Sequence, residues 1–170
     1  MEIKLRKYNM KDLKRVCGLF INENVLKNLD SRFKAKDIKI KDEKKWLKEV
    51  IENYKKKKPS SFTLAILYNK EYVGSIGINK FNYKNNNAEI GYWIGEPYWG
   101  KGITTKALKQ FSRIVFNKFK LKRLEAFTYL RNKPSQRVLQ KAGFKHEGTR
   151  KNAIKKGTKY LDDTIYALTR

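Results

Sequence analysis

Apolar residues along the chain switch between helix-like and strand-like spacing, which indicates a sheet with helices packed around it. Residues 2–8 predict a short strand, and Asn9 with Asp12 three positions later predicts the start of a helix. Residues 23–40 are irregular and mixed in character. The next apolar residues recur at i, i+4 and i+8, and this spacing predicts a second helix over 41–56.

From Ser60 the apolar spacing becomes that of β-strands. Two β-rich runs, SFTLAILY and EYVGSIGI, are separated by Asn69-Lys70, which is typical of a hairpin turn. A third run, AEIGYWI, follows an Asn-rich turn at 85–87. We therefore expect three antiparallel strands, followed by an amphipathic helix over 101–119.

The C-terminal part continues with a strand, LKRLEAFTYL, and a helix that begins at Pro134 and ends at Gly143. A last hairpin turns at Lys156-Gly157. Together, these predicted elements indicate an α/β (α+β) fold with a mixed, mostly antiparallel sheet of about seven strands and about four helices. Because the chain has no repeat and no linker-like segment, we expect a single domain over 1–170.

The charge is strongly one-sided, with 41 Lys and Arg against 16 Asp and Glu and a formal net charge of +25. A potential of this size attracts phosphate-rich partners such as RNA, ribosomes or polyanionic cofactors. Solvated lysine-rich faces in a lysine-rich proteome explain the same composition equally well. Charge alone therefore selects no function.

Cysteine and histidine usage excludes two classes of site. Cys17 is the single cysteine and His146 the single histidine, so the chain has neither an internal disulfide nor a zinc cluster. We expect no metal cofactor. The charged N-terminal sequence and the lack of a long apolar run predict a cytoplasmic protein without a membrane segment.

The segment Ala88–Leu108, AEIGYWIGEPYWGKGITTKAL, carries the strongest chemical signal, because a strand leads through a glycine-containing turn into a helix. Gly100 and Gly102 let the backbone approach a ligand closely, the first helical N–H groups attract an anion, and Lys101 adds positive charge. The turn predicts a diphosphate ligand. A glycine turn that only reverses the chain is the alternative at this point.

Two nucleotide-binding motifs fail in this segment. The run from Gly95 to Gly102 is one residue short of a P-loop, and Gly102 stands where a magnesium-binding Ser or Thr is needed. Thr105 replaces the third glycine of the dinucleotide fingerprint. We therefore expect neither an NTPase nor a dinucleotide-binding fold.

The turn Trp99–Thr104, WGKGIT, resembles the pyrophosphate loop of the GNAT superfamily of N-acetyltransferases, usually Q/R-x-x-G-x-G/A. Trp99 and Thr104 depart from that consensus but are similar to the RimJ/RimL-like branch, which acetylates N-termini of ribosomal proteins. A second block, Asn132–Phe144, resembles the family's N-x-x-S-x-x-V-L-x-K-x-G-F helix. The terminal hairpin at 157–163 is also typical of that branch.

The resemblance implies a GNAT fold and direct transfer of an acetyl group from acetyl-CoA to a primary amine in a ternary complex. It also implies which residues bind the cofactor: Trp93, Ile94, Trp99, Gly100, Lys101, Gly102, Ile103, Thr104 and Asn132.

Glu89 stands where several members of the family carry a general base, although a structural carboxylate is an equal alternative. The resemblance assigns the oxyanion contact to a backbone N–H near Ile94. Trp93 is more typical of core packing. Tyr92 lies on the same strand and faces either the core or the substrate.

Many relatives protonate the leaving thiolate with a tyrosine, but Leu139 occupies that position here. Ser135, Tyr129 or water are the alternative donors, and a thiol with a pKa of about 8.5 needs no acid near neutrality. We take Ser135 as the candidate, with a helix-capping role as its alternative. Asn132 either binds the pantetheine arm or caps the same helix.

An N-terminal α-amine, with a pKa of about 8, is more often neutral than a lysine and is the easier acceptor. The positive charge disfavours polyamines and aminoglycosides, unless Glu96, Asp162 and Asp163 form an acidic pocket; turn and hairpin ion pairs are the favoured alternative. The primary hypothesis is N-terminal acetylation of a ribosomal protein, with non-specific RNA contact, by a monomer or homodimer. The alternatives are a small-amine acetyltransferase and a non-enzymatic basic RNA-binding module.

Overall fold

The computed structural model describes residues 2–29 and 38–170, which form a seven-stranded sheet with helices on both faces. The strands are β1 Ile3–Arg6, β2 Phe62–Tyr68, β3 Glu71–Asn82, β4 Asn87–Ile94, β5 Arg123–Tyr129, β6 Lys145–Lys156 and β7 Lys159–Thr169. The helices are α1 Leu13–Phe20, α2 Glu23–Leu26, α3 Ile40–Asn53, α4 Ile103–Phe119 and α5 Lys133–Lys141. Short 3-10 turns occupy Met10–Asp12 and Glu96–Tyr98.

The strands lie in the order β1-β2-β3-β4-β5-β7-β6, and every neighbouring pair except β4 and β5 is antiparallel. β4 and β5 are parallel because α4 carries the chain back across the sheet between them. Their pairing covers only Asn87–Glu89 against Arg123–Glu125. Beyond Glu89 the two strands are no longer paired, which leaves a gap in the middle of the sheet.

Two apolar clusters bury the two faces of the sheet. The larger cluster lies between the strands and helices α4 and α5, with Phe111 and Leu108 fully buried. The smaller cluster lies under α1 and α3 and includes Leu47 and Val16. Because helices cover both faces of β2, that strand is buried from Phe62 to Leu67 rather than on alternate residues.

Turn and cap residues adopt the backbone conformations and hydrogen bonds that their chemistry predicts. Asn69 and Lys70 both have positive φ, 48° and 71°, which suits the two-residue hairpin between β2 and β3. The Asn9 and Asp12 side chains form a reciprocal capping box. Gly143 ends α5 with φ 96°, as predicted from its place before Phe144.

The expectation of an irregular 23–40 segment is wrong for its first turn. Asn22 accepts a hydrogen bond from the Val25 N–H at 3.1 Å and starts the four-residue helix α2. One turn is too short to show a helical period in the sequence, and this helix raises the number from four to five. Residues 30–37 of the same segment lie outside the described residues.

No helix in the described part of the chain is both long and apolar enough to cross a membrane. Within residues 2–29 and 38–170, no group of three or more His, Cys, Asp or Glu side chains is arranged to hold a metal ion.

Candidate active site

The gap between β4 and β5 exposes backbone groups that a continuous sheet would pair. Gly95 donates its N–H to the Val73 carbonyl of β3 at 2.9 Å, so the amide one residue earlier points the other way. The Ile94 carbonyl confirms this direction, because it accepts the Trp99 indole N–H at 2.8 Å on the gap side. By the same alternation, the N–H groups of Tyr92 and Ile94 face the gap.

The turn that follows β4 combines two left-handed glycines with an uncapped helix. Gly100 and Gly102 have φ of 76° and 70°, where a side chain is strained, and a Cβ on either would meet open space. The N–H groups of the first turn of α4 have no intrahelical acceptor, as in any α-helix, and no side chain caps them here. A diphosphate fits such a surface, since it supplies acceptors and negative charge together.

The other residues of the turn contribute in different ways. Lys101 is exposed, with its Nζ 5.6 Å from the centre of the Tyr98 ring. Ile103 and Thr104 are buried, so they offer their backbone N–H groups while their side chains anchor the helix start. Trp99 is 41% exposed beside the gap. The predicted loop residues therefore form one surface, and their cofactor contacts stay predictions.

Two hydroxyl groups meet across the gap. The Tyr92 hydroxyl lies 2.9 Å from Ser135 Oγ, at the first turn of α5. Burial raises the pKa of Tyr92 well above its ordinary value, although the hydrogen bond to Ser135 opposes the shift. The phenol therefore stays protonated at neutral pH. The sequence identified Ser135 and left Tyr92 between core and substrate, but it gave no sign of their contact.

Asn132 caps α5, because its Oδ1 accepts the Ser135 N–H at 3.3 Å. Its amide N–H₂ group makes no hydrogen bond with any described side chain or backbone group. Capping and ligand binding are thus compatible roles for the one side chain, the first through oxygen and the second through nitrogen.

Neither the usual tyrosine position, occupied by Leu139, nor the alternative donor Tyr129 supplies an acid at the gap. Leu139 is fully buried in the larger cluster, where it offers only apolar contact. The Tyr129 hydroxyl donates to the Leu29 carbonyl at 3.0 Å, on the side of α2. Ser135 is therefore the candidate acid that borders the gap.

Glu89 lies at the closed end of the gap. Its carboxylate is 3.3 Å from Lys80 Nζ and 29% exposed. Five residues of strand separate Glu89 from Ile94, about 16 Å. This distance excludes direct contact between the Glu89 carboxylate and an amine held at the Ile94 amide, so any role as a base needs intervening water.

Trp93 lies on the face of β4 opposite Tyr92. Its ring packs 5.0 Å from Phe20 and 6.2 Å from Tyr72, between centroids. This placement matches the packing role considered for Trp93, and a cofactor contact by Trp93 stays a prediction.

The three carboxylates considered for an acidic pocket do not meet. Asp163 is buried and bound by the Arg150 guanidinium through two hydrogen bonds. Asp162 accepts the Asn152 N–H at 2.9 Å, and its Oδ2 lies 3.3 Å from Lys151 Nζ. The favoured alternative of hairpin ion pairs is therefore confirmed for these two aspartates.

Glu96 instead lies on the α2 side of β4, two residues after Ile94. Its carboxylate accepts the side-chain amides of Asn22 at 3.0 Å and Asn24 at 2.8 Å. Gly95 makes room for this arrangement, since a Cβ there would lie 3.0 Å from Leu19. No local sequence pattern links residues 22 and 96, so the contact was missed.

Curated relatives resemble this chain over part of their length. An uncharacterized N-acetyltransferase of Bacillus licheniformis is 29% identical over 109 residues, 64% of this chain and 61% of the relative. The ribosomal-protein-serine acetyltransferase of Escherichia coli is 33% identical over 97 residues, 57% of this chain and 54% of the relative. The chain thus spans less than two thirds of the length of these relatives.

Solved structures share the fold over nearly the whole chain. A microcin self-immunity acetyltransferase, MccE, in complex with acetyl-CoA and AMP aligns with a TM-score of 0.85 and 25% identity, over 99% of this chain and 93% of that one. RimL, a ribosomal-protein α-N-acetyltransferase in complex with coenzyme A, aligns with a TM-score of 0.87 at 21% identity, over 98% and 93%.

The family model for the acetyltransferase (GNAT) domain matches residues 2–145, from β1 to the start of β6 and across both the gap and the glycine turn. The splayed β4 and β5 strands and the uncapped α4 lie within that match. The chain therefore belongs to the GNAT acetyltransferase family.

Proposed function

We propose that this protein transfers an acetyl group from acetyl-CoA to a primary amine, and that the acceptor is the N-terminal α-amine of a ribosomal protein. One observation carries the proposal: free amides in the β4–β5 gap lie beside the uncapped N-terminus of α4. The gap amides can donate hydrogen bonds to an extended ligand chain. The N-terminus of α4 can bind the diphosphate at the end of that chain. Together they suit a molecule with the shape of acetyl-CoA.

The glycine turn and the gap bind different parts of acetyl-CoA. The first-turn N–H groups of α4 and Lys101 hold the diphosphate, and the Asn132 amide nitrogen holds a carbonyl of the pantetheine arm. The bound cofactor supplies a thioester. The Ile94 N–H then donates to the thioester oxygen, on which negative charge develops during transfer.

Ser135 and Tyr92 together serve the protonation of the departing sulfur. The Ser135 hydroxyl donates its proton to the departing sulfur while it accepts, directly or through water, the proton that the attacking amine loses. The Tyr92 hydroxyl, 2.9 Å from Ser135 Oγ, holds Ser135 in place for this transfer, and because burial raises its pKa, Tyr92 stays a neutral phenol.

The acceptor amine approaches from the α1–α2 side, where the Glu96 carboxylate lies beside Asn22 and Asn24. Two residues of chain separate Glu96 from Ile94, at most about 7 Å between Cα atoms. Two asparagine amides fix the Glu96 carboxylate, so it can accept a hydrogen bond from the amine without swinging away. Glu89 serves at most as a remote base through water.

A ribosomal protein is proposed as acceptor because two of the relatives are named for that substrate. An α-amine also needs less help from a base than a lysine does, since a large fraction of it is neutral near pH 8. A lysine side chain, with a pKa of about 10.4, would be almost fully protonated at pH 8.

The proposal is tested in two steps with the whole chain. Isothermal titration with acetyl-CoA and CoA, with ATP and NAD as controls, should show binding of the CoA pair alone. Release of free thiol is then measured with peptides that match ribosomal-protein N-termini, either free or acetyl-blocked, and with spermidine. Thiol release only with the free N-terminus supports the proposal, release only with spermidine shows a small-amine enzyme, and absence of CoA binding overturns both.

A further inference from the structure

Helix α4 presents a row of cations to solvent that no part of the acetyl-transfer scheme uses. Lys106, Lys109, Arg113, Asn117 and Lys120 follow one another at intervals of three or four residues, and all five are exposed. Such spacing places Lys106 to Asn117 on one side of the helix, over a length of about 17 Å, and Lys120 follows directly after the last helical residue. We call this row the α4 stripe.

The charge of the stripe is uncompensated. The sequence contains no acidic residue between Glu96 and Glu125. None of the four cations of the stripe forms an ion pair with a residue in the described part of the chain. Helix α3 differs, because its lysines alternate with Asp42, Glu43, Glu49 and Glu52.

The stripe ends at a pocket that adds further cations. A cavity of about 270 Å³ lies where α4 meets β5, and its lining residues are Phe116, Asn117, Lys120, Leu121, Lys122 and Arg170. Arg170 donates to the Asn117 side chain, which fixes one guanidinium at the rim. Two of the lining residues thus belong to the stripe, so pocket and stripe are continuous.

The surface lacks the features that a protein or a single-stranded partner would use. None of the exposed large apolar residues in the described chain lies in the stripe; the nearest, Ile114, lies beside it. Single-strand binders stack bases on exposed aromatic rings, and protein interfaces centre on buried aromatic anchors. A double helix needs neither, because it is bound through its phosphates and its shape.

We infer that the α4 stripe and the adjoining pocket bind the phosphate backbone of double-helical RNA. The stripe lies on the α4–α5 face of the sheet, whereas α1 and α3 cover the opposite face. RNA on the stripe therefore leaves the face covered by α1 and α3 free. This inference goes beyond acetyl transfer and does not depend on it.

The test uses a fluorescent RNA duplex of about 20 base pairs and the double variant Lys109→Gln/Arg113→Gln. The matched control is Lys44→Gln/Lys48→Gln on α3, which removes the same charge from a mixed surface. We expect the α4 variant to weaken binding about tenfold at 100 mM salt, and to reduce the slope of log K against log salt by about 1.5 to 2. The control should change affinity less than threefold.

Three results would overturn the inference. Equal weakening by both variants would show that only net charge matters, and absence of duplex binding at 50 mM salt would remove the site altogether. Displacement of the duplex by poly-glutamate at equal charge concentration would identify an acidic protein as the better occupant. Thermal unfolding of each variant, which needs no bound ligand, establishes that the fold is intact.

Discussion

The two halves of the sheet are held together in different ways. From β1 to β4 the strands pair along their length and helices bury both faces. From β5 to β6 the sheet joins the first half through three residue pairs, and the β6–β7 hairpin carries an ion pair with a buried carboxylate, between Arg150 and Asp163. Both halves bury apolar side chains and one ion-paired carboxylate each, Asp12 and Asp163. They differ in that the second half is joined to the first through only three residue pairs and borders the candidate chemistry.

The largest expected effect lies in the second half. Arg150→Met should reduce the free energy of unfolding by about 3 to 5 kcal/mol, because it leaves the buried Asp163 carboxylate unpaired. Asp163→Asn should cost less, since the half-exposed Arg150 regains water. Urea unfolding of both variants measures this asymmetry. Equal losses would mean that the hairpin does not depend on the buried charge.

The Tyr92 and Ser135 hydroxyls at the gap should affect the catalytic rate together. Tyr92→Phe should lower kcat about tenfold with little change in KM for acetyl-CoA, because it removes the hydrogen bond that positions the Ser135 hydroxyl. Ser135→Ala should lower kcat at least as much, and the double variant should add little further. Additive losses in steady-state kinetics would show that the two hydroxyls act separately.

The first half contains its own ion pair, between Arg6 and Asp12, whose contribution to stability should disappear at acid pH. Burial would raise the pKa of Asp12, but hydrogen bonds from Arg6 and the Asn9 N–H outweigh it and lower the pKa. The stabilisation is present above the unfolded-state pKa of about 3.9 and is lost as pH falls through the lower folded value. Asp12→Asn should therefore cost about 1 to 2 kcal/mol at pH 7 and nothing near pH 2. A constant difference across that range in chemical denaturation would contradict the assignment.

The smallest effect is expected at the closed end of the gap, where Glu89 lies. Glu89→Gln should reduce the rate less than about fivefold at pH 8, because an α-amine is already substantially neutral there. Lys80→Gln is the control, since it removes the partner of Glu89 and leaves the carboxylate. If Glu89→Gln instead lowers the rate more than a hundredfold and removes the acid limb of the pH–rate profile, Glu89 is the general base.

Local chemistry explains what the sequence predicted well. The Asn69-Lys70 turn, the Asn9 capping box and the Gly143 helix end each depend on residues close in the chain, and all three formed as expected. The glycine turn before α4 is also local. The resemblance to the GNAT family added the arrangement of the strands, which periodicity alone does not fix.

Contacts between distant residues were the ones that sequence patterns missed. Asn22 and Glu96 are separated by 74 positions, and Tyr92 and Ser135 by 43. Each pair meets because the sheet brings separate elements to the gap, and no spacing rule encodes that meeting. The one-turn helix α2 was missed for a different reason, since its start depends on a single asparagine cap.

The hydrogen bond from the Trp99 indole to the Ile94 carbonyl also makes this side chain an optical reporter. Trp99 is 41% exposed beside the gap, while the Trp93 ring packs against Phe20 and Tyr72. A molecule that enters the gap changes the polarity around Trp99 and hence its emission wavelength. The protein thus carries an intrinsic fluorophore through which occupancy of the gap can be followed in real time, without a label.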